Sequence, residues 1–178
     1  MAKFKGIILL LIIMVCAAQG CVKSDKSDDG IENYVKVGSK IPEFTVLSAD
    51  GETIFNSLQF NGKSGLLVFF VTTCGDCAVA MPVIQKVWEG LRSNPDFIMA
   101  AISRDETAET VIGHWDDEKF SMPAYLDPGR EVFAMFANST VPRIYLINPE
   151  GKVTWMAIEK LDITAQEIIR KTGVSGGN

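Results

Sequence analysis

The stretch LLVFFVTTCGDC, residues 66–77, decides the fold of this 178-residue chain. Its first six residues are all apolar, and a run of that length is typical of a strand buried on both faces of a sheet. Beyond the stretch, apolar residues recur at spacings of three and four, the pattern of an amphipathic helix. They are Ala80, Val83, Ile84, Val87, Trp88 and Leu91. Cys74 is therefore predicted to lie where a strand ends and a helix begins.

This position gives the two cysteines of the stretch different chemistry. The free amides and the positive dipole end of a helix N-terminus stabilise an anion, so they favour the thiolate of Cys74. Cys74 is the candidate nucleophile. Cys77 lies about one turn further into the helix, where we expect it to be more buried. It should stay protonated until it attacks a mixed disulfide on Cys74.

Two other uses of the cysteine pair are weaker. A structural zinc site needs four ligands, and beyond these two thiols the chain offers only His114, at a spacing that matches no common zinc pattern. A structural disulfide with a two-residue spacer closes a very small loop and removes little entropy from the unfolded chain. We therefore predict local redox chemistry at this pair and no metal site.

The N-terminal region has the order of a signal peptide. Lys3 and Lys5 precede an unbroken apolar run over residues 7–18, which is shorter than the roughly 20 residues needed to cross a bilayer. Residues 1–20 are predicted to be a signal peptide. The segment Ala18 to Cys21 resembles the lipobox of bacterial lipoproteins, which implies a lipid on Cys21. Plain secretion is the alternative.

Composition indicates one exported domain on a short attachment. Residues 21–36 are predicted to be a lipidated flexible tether, because their polar beginning offers little apolar area to offset the entropy of ordering. The functional domain is placed at residues 37–178. The chain has 17 Lys and Arg against 22 Asp and Glu, which argues against a nucleic-acid partner. The expected location is the cell envelope or periplasm, with a lipid anchor in a membrane.

The chain resembles the thioredoxin superfamily, and more closely its exported, membrane-tethered thiol-disulfide oxidoreductases of the ResA and TlpA kind. Pro82 lies five residues after Cys77, as does the proline of the active-site helix in that family. Val141-Pro142 precedes a predicted strand, and residues 104–120 carry a helical pattern where the exported relatives have an inserted helix. The resemblance covers residues 37–171. It implies an α/β, thioredoxin-like fold: a central mixed sheet flanked by helices, with an N-terminal hairpin and an inserted helix.

The resemblance also implies roles for residues near the cysteines. It implies a cis bond between Val141 and Pro142, which places the backbone of Val141 beside the reactive sulfur, where it can pair with a substrate peptide. Thr73, which stands where relatives often have Trp, is the second expected substrate contact. The residues expected to support the active site are Gly75, Asp76, Pro82 and Pro142.

Asp76 stands where many relatives have Pro. Its carboxylate disfavours the Cys74 thiolate, and a less stable thiolate form makes a stronger reductant. Val68 and Ala80 occupy positions where relatives carry a proton-accepting acid, so Asp76 is a candidate for that role. The alternative is a solvated acid that stabilises the start of a helix.

Together these features predict a protein-disulfide reductase of the cell envelope that uses the Cys74/Cys77 dithiol and needs no cofactor. The implied partners are protein thiols and disulfides, with apocytochrome c in cytochrome c maturation as one candidate, and an upstream membrane thiol donor of the CcdA or DsbD kind. One alternative is a peroxiredoxin-like thiol peroxidase, although Leu67 and Val71 stand where that class has Pro and Thr or Ser. The other is a non-catalytic thioredoxin-fold binding lipoprotein that uses the pair as a structural clip.

Overall fold

The computed structural model describes residues 30–160 and 162–174. The predicted signal peptide, the predicted lipid site Cys21 and residues 21–29 of the predicted tether lie outside the described residues. Among the helices that are described, none has the length and apolar character needed to span a bilayer. The compact unit that carries the fold begins at Ile31.

Strands and helices alternate along most of the described chain. The strands are β1 (Thr45–Ser48), β2 (Ile54–Asn56), β3 (Ser64–Phe70), β4 (Phe97–Arg104), β5 (Ala124–Asp127), β6 (Arg143–Ile147) and β7 (Val153–Ile158). The helices are α1 (Gly75–Leu91), α2 (Ala108–Glu118), α3 (Glu131–Phe136) and α4 (Ala165–Thr172), and a short 3-10 helix over Ser57–Phe60 connects β2 to β3. This is the α/β class that the sequence predicts.

These strands form one mixed sheet in the order β2-β1-β5-β4-β3-β6-β7. Strand β3 lies in the interior of the sheet, parallel to β4 and antiparallel to β6. Every residue from Gly65 to Phe70 is buried. Since successive side chains of a strand point to opposite faces, both faces of β3 are covered. The predicted central mixed sheet is confirmed.

The fold begins earlier in the chain than the sequence analysis predicts. The predicted flexible tether includes residues 31–36, whereas in the structure they pack on the domain. The side chain of Val35 is 5% exposed, and the amides of Tyr34 and Val35 both donate to the carbonyl of Phe136. The polar composition of the residues before Ile31 does not extend to this segment, which carries apolar side chains.

The predicted N-terminal hairpin is formed by β1 and β2. The two strands pair antiparallel, with Val46 opposite Phe55. Both of these side chains are buried, so the hairpin contributes to the same core as β3. Strand β1 also pairs with β5, which joins the hairpin to the rest of the sheet.

Helix α1 follows β3 and carries the redox motif at its start. Cys74 is the N-cap residue, with extended backbone angles. The side chains of Ile84, Val87 and Leu91 are fully buried, which is the apolar face that the spacing predicts. Pro82 lies inside the helix, where it has no N–H to donate to the preceding turn.

The predicted inserted helix is α2, and it is shorter than the pattern over residues 104–120. Arg104 is the last residue of β4 rather than the first of a helix. Helix α2 begins after Thr107, whose hydroxyl accepts a hydrogen bond from the amide of Thr110. This capping bond satisfies one of the amides that have no acceptor within the helix.

Candidate active site

Cys74 lies at the junction between β3 and α1. Its side chain is half-buried and makes no capping hydrogen bond to the helix. The first-turn amides of an α-helix have no acceptor within the helix, and together with the helix dipole they favour an anion at this end. The position therefore suits a thiol that reacts as a thiolate.

Cys77 lies one turn further along α1 and is only 1% exposed. Burial raises the pKa of its thiol to about 12. A hydrogen bond to Cys74 and the negative charges of Cys74 and Asp76 add to the rise. The two cysteines, both free thiols in the structure, thus differ as the sequence predicts: one is accessible, and the other is buried and protonated.

The loop before β6 brings a second backbone segment to Cys74. The peptide bond between Val141 and Pro142 is cis, as the resemblance implies. The Cys74 thiol donates a hydrogen bond to the carbonyl oxygen of Val141, with Sγ 3.5 Å from the oxygen. The fold thus places the backbone of Val141 next to the half-buried Cys74 thiol.

Arg143 holds this loop from inside the fold. Its side chain is fully buried, and its Nε donates to the carbonyl oxygens of Ser139 at 3.0 Å and Thr140 at 2.8 Å. Its Nη1 donates to Oδ1 of Asn33, which connects the loop to the N-terminal segment. The sequence analysis missed Arg143, since no spacing rule distinguishes a buried arginine from an exposed one at the start of a strand.

Glu106 holds the loop that carries Cys74. Its carboxylate accepts hydrogen bonds from the backbone amide of Thr72 at 3.0 Å, from the Thr72 hydroxyl at 2.5 Å and from the Ser103 hydroxyl at 2.5 Å. Thr72 lies two residues before Cys74, so these bonds connect the end of β4 to the loop that carries the reactive cysteine. The sequence analysis missed Glu106, which is 34 residues from Thr72.

The remaining predicted site residues lie along the start of α1. Thr73 and Gly75 are exposed on either side of Cys74, Asp76 is half-buried, and Pro82 is exposed further along the helix. A Cβ atom added at Gly75 would meet no atom within 4 Å, so the structure does not require glycine there. Across residues 30–160 and 162–174, no group of three or more acidic, Cys or His side chains is placed to hold a metal ion.

The sheet order, the dithiol at the start of α1 and the cis-proline loop against its accessible sulfur together define a thioredoxin-like fold of the thiol-disulfide oxidoreductase class. Within this class, the chain belongs to the Redoxin family, whose model matches residues 36–169.

Curated relatives agree with this class. The chain is 28% identical to the thiol-disulfide oxidoreductase ResA of Bacillus subtilis over 144 residues, which cover 81% of this chain and 78% of ResA. It is 26% identical to ResA of Oceanobacillus iheyensis over 147 residues, or 81% of this chain and 75% of that protein. The predicted resemblance to ResA is confirmed.

Two solved structures show the same fold. A Bacteroides thetaiotaomicron protein, proposed to be a protein disulfide isomerase, superposes with a TM-score of 0.75 at 28% identity and covers 81% of this chain and 92% of its own. StoA of Bacillus subtilis superposes with a TM-score of 0.63 at 19% identity and covers 74% of this chain and 96% of its own. The predicted thioredoxin-like fold is confirmed.

Proposed function

We propose that this protein reduces disulfides of other proteins through Cys74 and Cys77. The observation that carries the proposal is the difference between the two thiols. Cys74 is half-buried at a helix N-terminus with its Sγ 3.5 Å from the Val141 carbonyl oxygen, whereas Cys77 is buried with a pKa raised to about 12. Cys74 can therefore attack an incoming disulfide, whereas the Cys77 thiol stays protonated until the second exchange step.

The reaction has two exchange steps. In the first, the Cys74 thiolate attacks one sulfur of the substrate disulfide; a mixed disulfide forms, and the second substrate sulfur leaves as a thiolate and takes up a proton. In the second, Cys77 loses its proton and attacks Sγ of Cys74, which releases the first substrate sulfur as a thiol. Two electrons and two protons pass to the substrate, and the protein is left with a Cys74–Cys77 disulfide. An external dithiol donor must reduce it before the next cycle.

Val141 and Thr73 are the proposed substrate contacts. The backbone of Val141 lies against Cys74, so an extended substrate segment that carries the disulfide can pair with it as an added strand. Thr73 directly precedes Cys74 and is exposed. Gly75, Asp76, Pro82 and Pro142 are the proposed supporting residues, and Pro142 acts by orienting the Val141 carbonyl group.

The proposed location is the cell envelope, with a lipid on Cys21 holding the domain at a membrane. This part of the proposal rests on residues 1–21 alone. The reductive direction also rests on the sequence, because the charge of Asp76 next to the dithiol disfavours the thiolate form. The proposed electron donor is a membrane thiol protein.

The Cys77→Ser variant should accumulate a mixed disulfide between Cys74 and the substrate. Without the resolving thiol, the second exchange step cannot occur within the protein. After incubation with a disulfide-linked peptide dimer, intact mass analysis should find the variant heavier by one peptide less two hydrogen atoms. Wild type should instead be lighter by two hydrogen atoms. A Cys77→Ser protein that forms no adduct, under conditions in which wild type is oxidised, would contradict the assignment of the nucleophile to Cys74.

The pH dependence of the second step tests whether Asp76 accepts the proton of Cys77. Since the pKa of Cys77 is about 12, its thiolate fraction rises about tenfold per pH unit between pH 6 and 9. If Asp76 accepts the proton, the wild-type rate should be nearly independent of pH in this range, whereas Asp76→Asn should be slower at pH 7 by at least about tenfold and rise with pH.

Single-turnover release of a chromogenic thiol from a mixed disulfide on Cys74 measures this rate, with the exposed Asp117→Asn as a control. Loss of the Asp76 charge also lowers the pKa of Cys77, because that charge contributes to its rise. An Asp76→Asn rate equal to or above that of wild type would therefore show that Asp76 is not the acceptor.

A further inference from the structure

Two arginines from different elements lie over the ring of Phe133. The guanidinium carbon of Arg104, the last residue of β4, is 4.8 Å from the ring centroid. That of Arg130, the N-cap residue of α3, is 5.9 Å from it. Arg143 is also 5.9 Å from this ring, but it is fully buried and its donors bind the carbonyl groups of the loop before β6. Arg104 and Arg130 are therefore the two cations that can meet a ligand.

Neither of these two guanidinium groups forms an ion pair within the described part of the chain, and the favourable charge nearest in effect to Arg104 is that of the adjacent Asp105. The ion pairs formed there, all at the surface, involve other residues. Nε of Arg104 is a buried donor with no hydrogen-bond acceptor. Asp127 lies opposite Arg104 in the pairing of β4 with β5, but its carboxylate accepts hydrogen bonds from the amides of Val132 and Phe133.

An unpaired cation pair of this kind is costly. Burial lowers the pKa of Arg104, and the positive charge of Arg130 lowers it further. A buried donor without an acceptor also loses the hydrogen bond that water would give it in the unfolded chain. An anion that meets both guanidinium groups would offset the repulsion between their charges. Planar guanidinium groups suit a carboxylate, because paired N–H donors match its two oxygens.

The first of these arginines, Arg104, lies at the same edge of the sheet as the redox pair. Strands β3 and β4 run parallel with Phe70 opposite Ser103, so the residues that follow both strands meet at one edge of the sheet. Arg104 follows Ser103, and Cys74 follows β3 by four residues. Consistent with this placement, negative charges on Cys77 and Cys74 interact favourably with Arg104. A group bound by the arginines would thus be held close to the reacting sulfur atoms.

We propose that Arg104 and Arg130 form a carboxylate-binding site that holds an Asp or Glu side chain of a protein substrate next to the disulfide under attack. This rests on the proposed reductase function and names its substrate class: proteins with an acidic residue near the target disulfide. The chain has a formal net charge of −5, so an acidic partner is repelled by most of its surface. A local cationic site therefore decides which part of such a partner approaches the dithiol.

Matched peptide disulfides test the proposal. Three peptides of one sequence carry Glu, Gln or Lys two residues from the cysteine. The second-order rate constant for their single-turnover reduction by the reduced full-length mature chain is measured at low ionic strength. Wild type should reduce the Glu peptide about three to ten times faster than the Gln peptide, and added salt should diminish this preference. Arg130→Gln should bring the ratio close to one with little change for the Gln peptide. Arg130→Glu should favour the Lys peptide.

Arg92→Gln is the matched control, because Arg92 is exposed at the far end of α1, about 25 Å along the helix from Cys74. It removes the same charge and should keep the preference for the Glu peptide. Arg104→Gln should lose the preference as Arg130→Gln does. If Arg104→Gln does not fold, the Arg130 variants still test the proposal, because Arg130 is exposed. A wild-type ratio of one, or a ratio unchanged in Arg130→Gln, would overturn the carboxylate site. Failure of wild type to reduce any of the peptides would overturn the reductase function as well.

Discussion

Replacement of Cys74 by Ser should reduce the rate of insulin-disulfide reduction to the uncatalysed background. The hydroxyl of Ser is not ionised at neutral pH and cannot form a mixed disulfide, and the buried Cys77 cannot replace the nucleophile because its pKa is about 12. The measurement is insulin precipitation in the presence of an excess of a small dithiol. The side chain of Cys74 is half-buried and makes no capping bond, so its loss should change the free energy of unfolding little.

Two other outcomes would point to the alternative functions. Insulin reduction that persists in Cys74→Ser would show that the activity does not use this dithiol, whereas wild type without any activity would favour a binding protein that uses the pair as a structural clip. Rapid consumption of peroxide coupled to oxidation of Cys74 would favour a thiol peroxidase. The sequence does not favour that chemistry, because Val71 and Leu67 stand where that class has Thr or Ser and Pro.

The Glu106→Gln variant should lose both stability and activity. The carboxylate of Glu106 accepts hydrogen bonds from the amide and the hydroxyl of Thr72 and from the hydroxyl of Ser103. A Gln side chain replaces one acceptor oxygen with a donor, so the charge-assisted hydrogen bonds are lost and at least one hydroxyl would have to turn from donor to acceptor. The expected cost is about 1.5–3 kcal/mol in the free energy of unfolding, measured with urea.

The loss of activity in Glu106→Gln should come from the position of Cys74. Thr72 is two residues before it, so a loosened loop holds the sulfur less well against the Val141 carbonyl group. The kcat for reduction of peptide disulfides should fall by about tenfold. The rate at which a small reagent alkylates the free Cys74 thiol should fall less. The exposed Glu118→Gln on α2 is the control for the loss of one acidic charge. A Glu106→Gln protein with wild-type stability and kcat would show that these hydrogen bonds do not position the site.

The sequence predicts the core of the fold because its signals there are local. A fully apolar run gives β3, regular apolar spacing gives α1, and the position of Cys74 between them follows from the order of the two. The chemistry of the two thiols follows in turn. A helix N-terminus stabilises the thiolate of Cys74, whereas burial in the first turn keeps the Cys77 thiol protonated. The cis-proline loop could be anticipated only from the family resemblance, because nothing in the spacing of Val141 and Pro142 requires it.

The residues that surround the dithiol could not be predicted, because each acts on a partner far away in the chain. Glu106 binds Thr72 across 34 residues, and Arg143 binds Asn33 across 110 residues. The helical pattern over residues 104–120 includes Arg104, whereas its place at the end of β4 puts it at the same sheet edge as the cysteines. The start of the domain was misplaced for a similar reason: residues 31–36 are held by Phe136 and Arg143, and these contacts leave no local signal.

The reduction potential of the Cys74/Cys77 pair is the most direct test of the central claim that this dithiol reduces protein disulfides. It can be measured on the chain from Lys23 onward by alkylation and intact mass across a thiol redox series. We expect one reversible transition that involves two protons, at or below about −220 mV, near the range of thioredoxin-like reductants. A potential near about −120 mV would make the protein an oxidant and contradict the proposed direction. The absence of any reversible two-proton change would contradict the redox function itself.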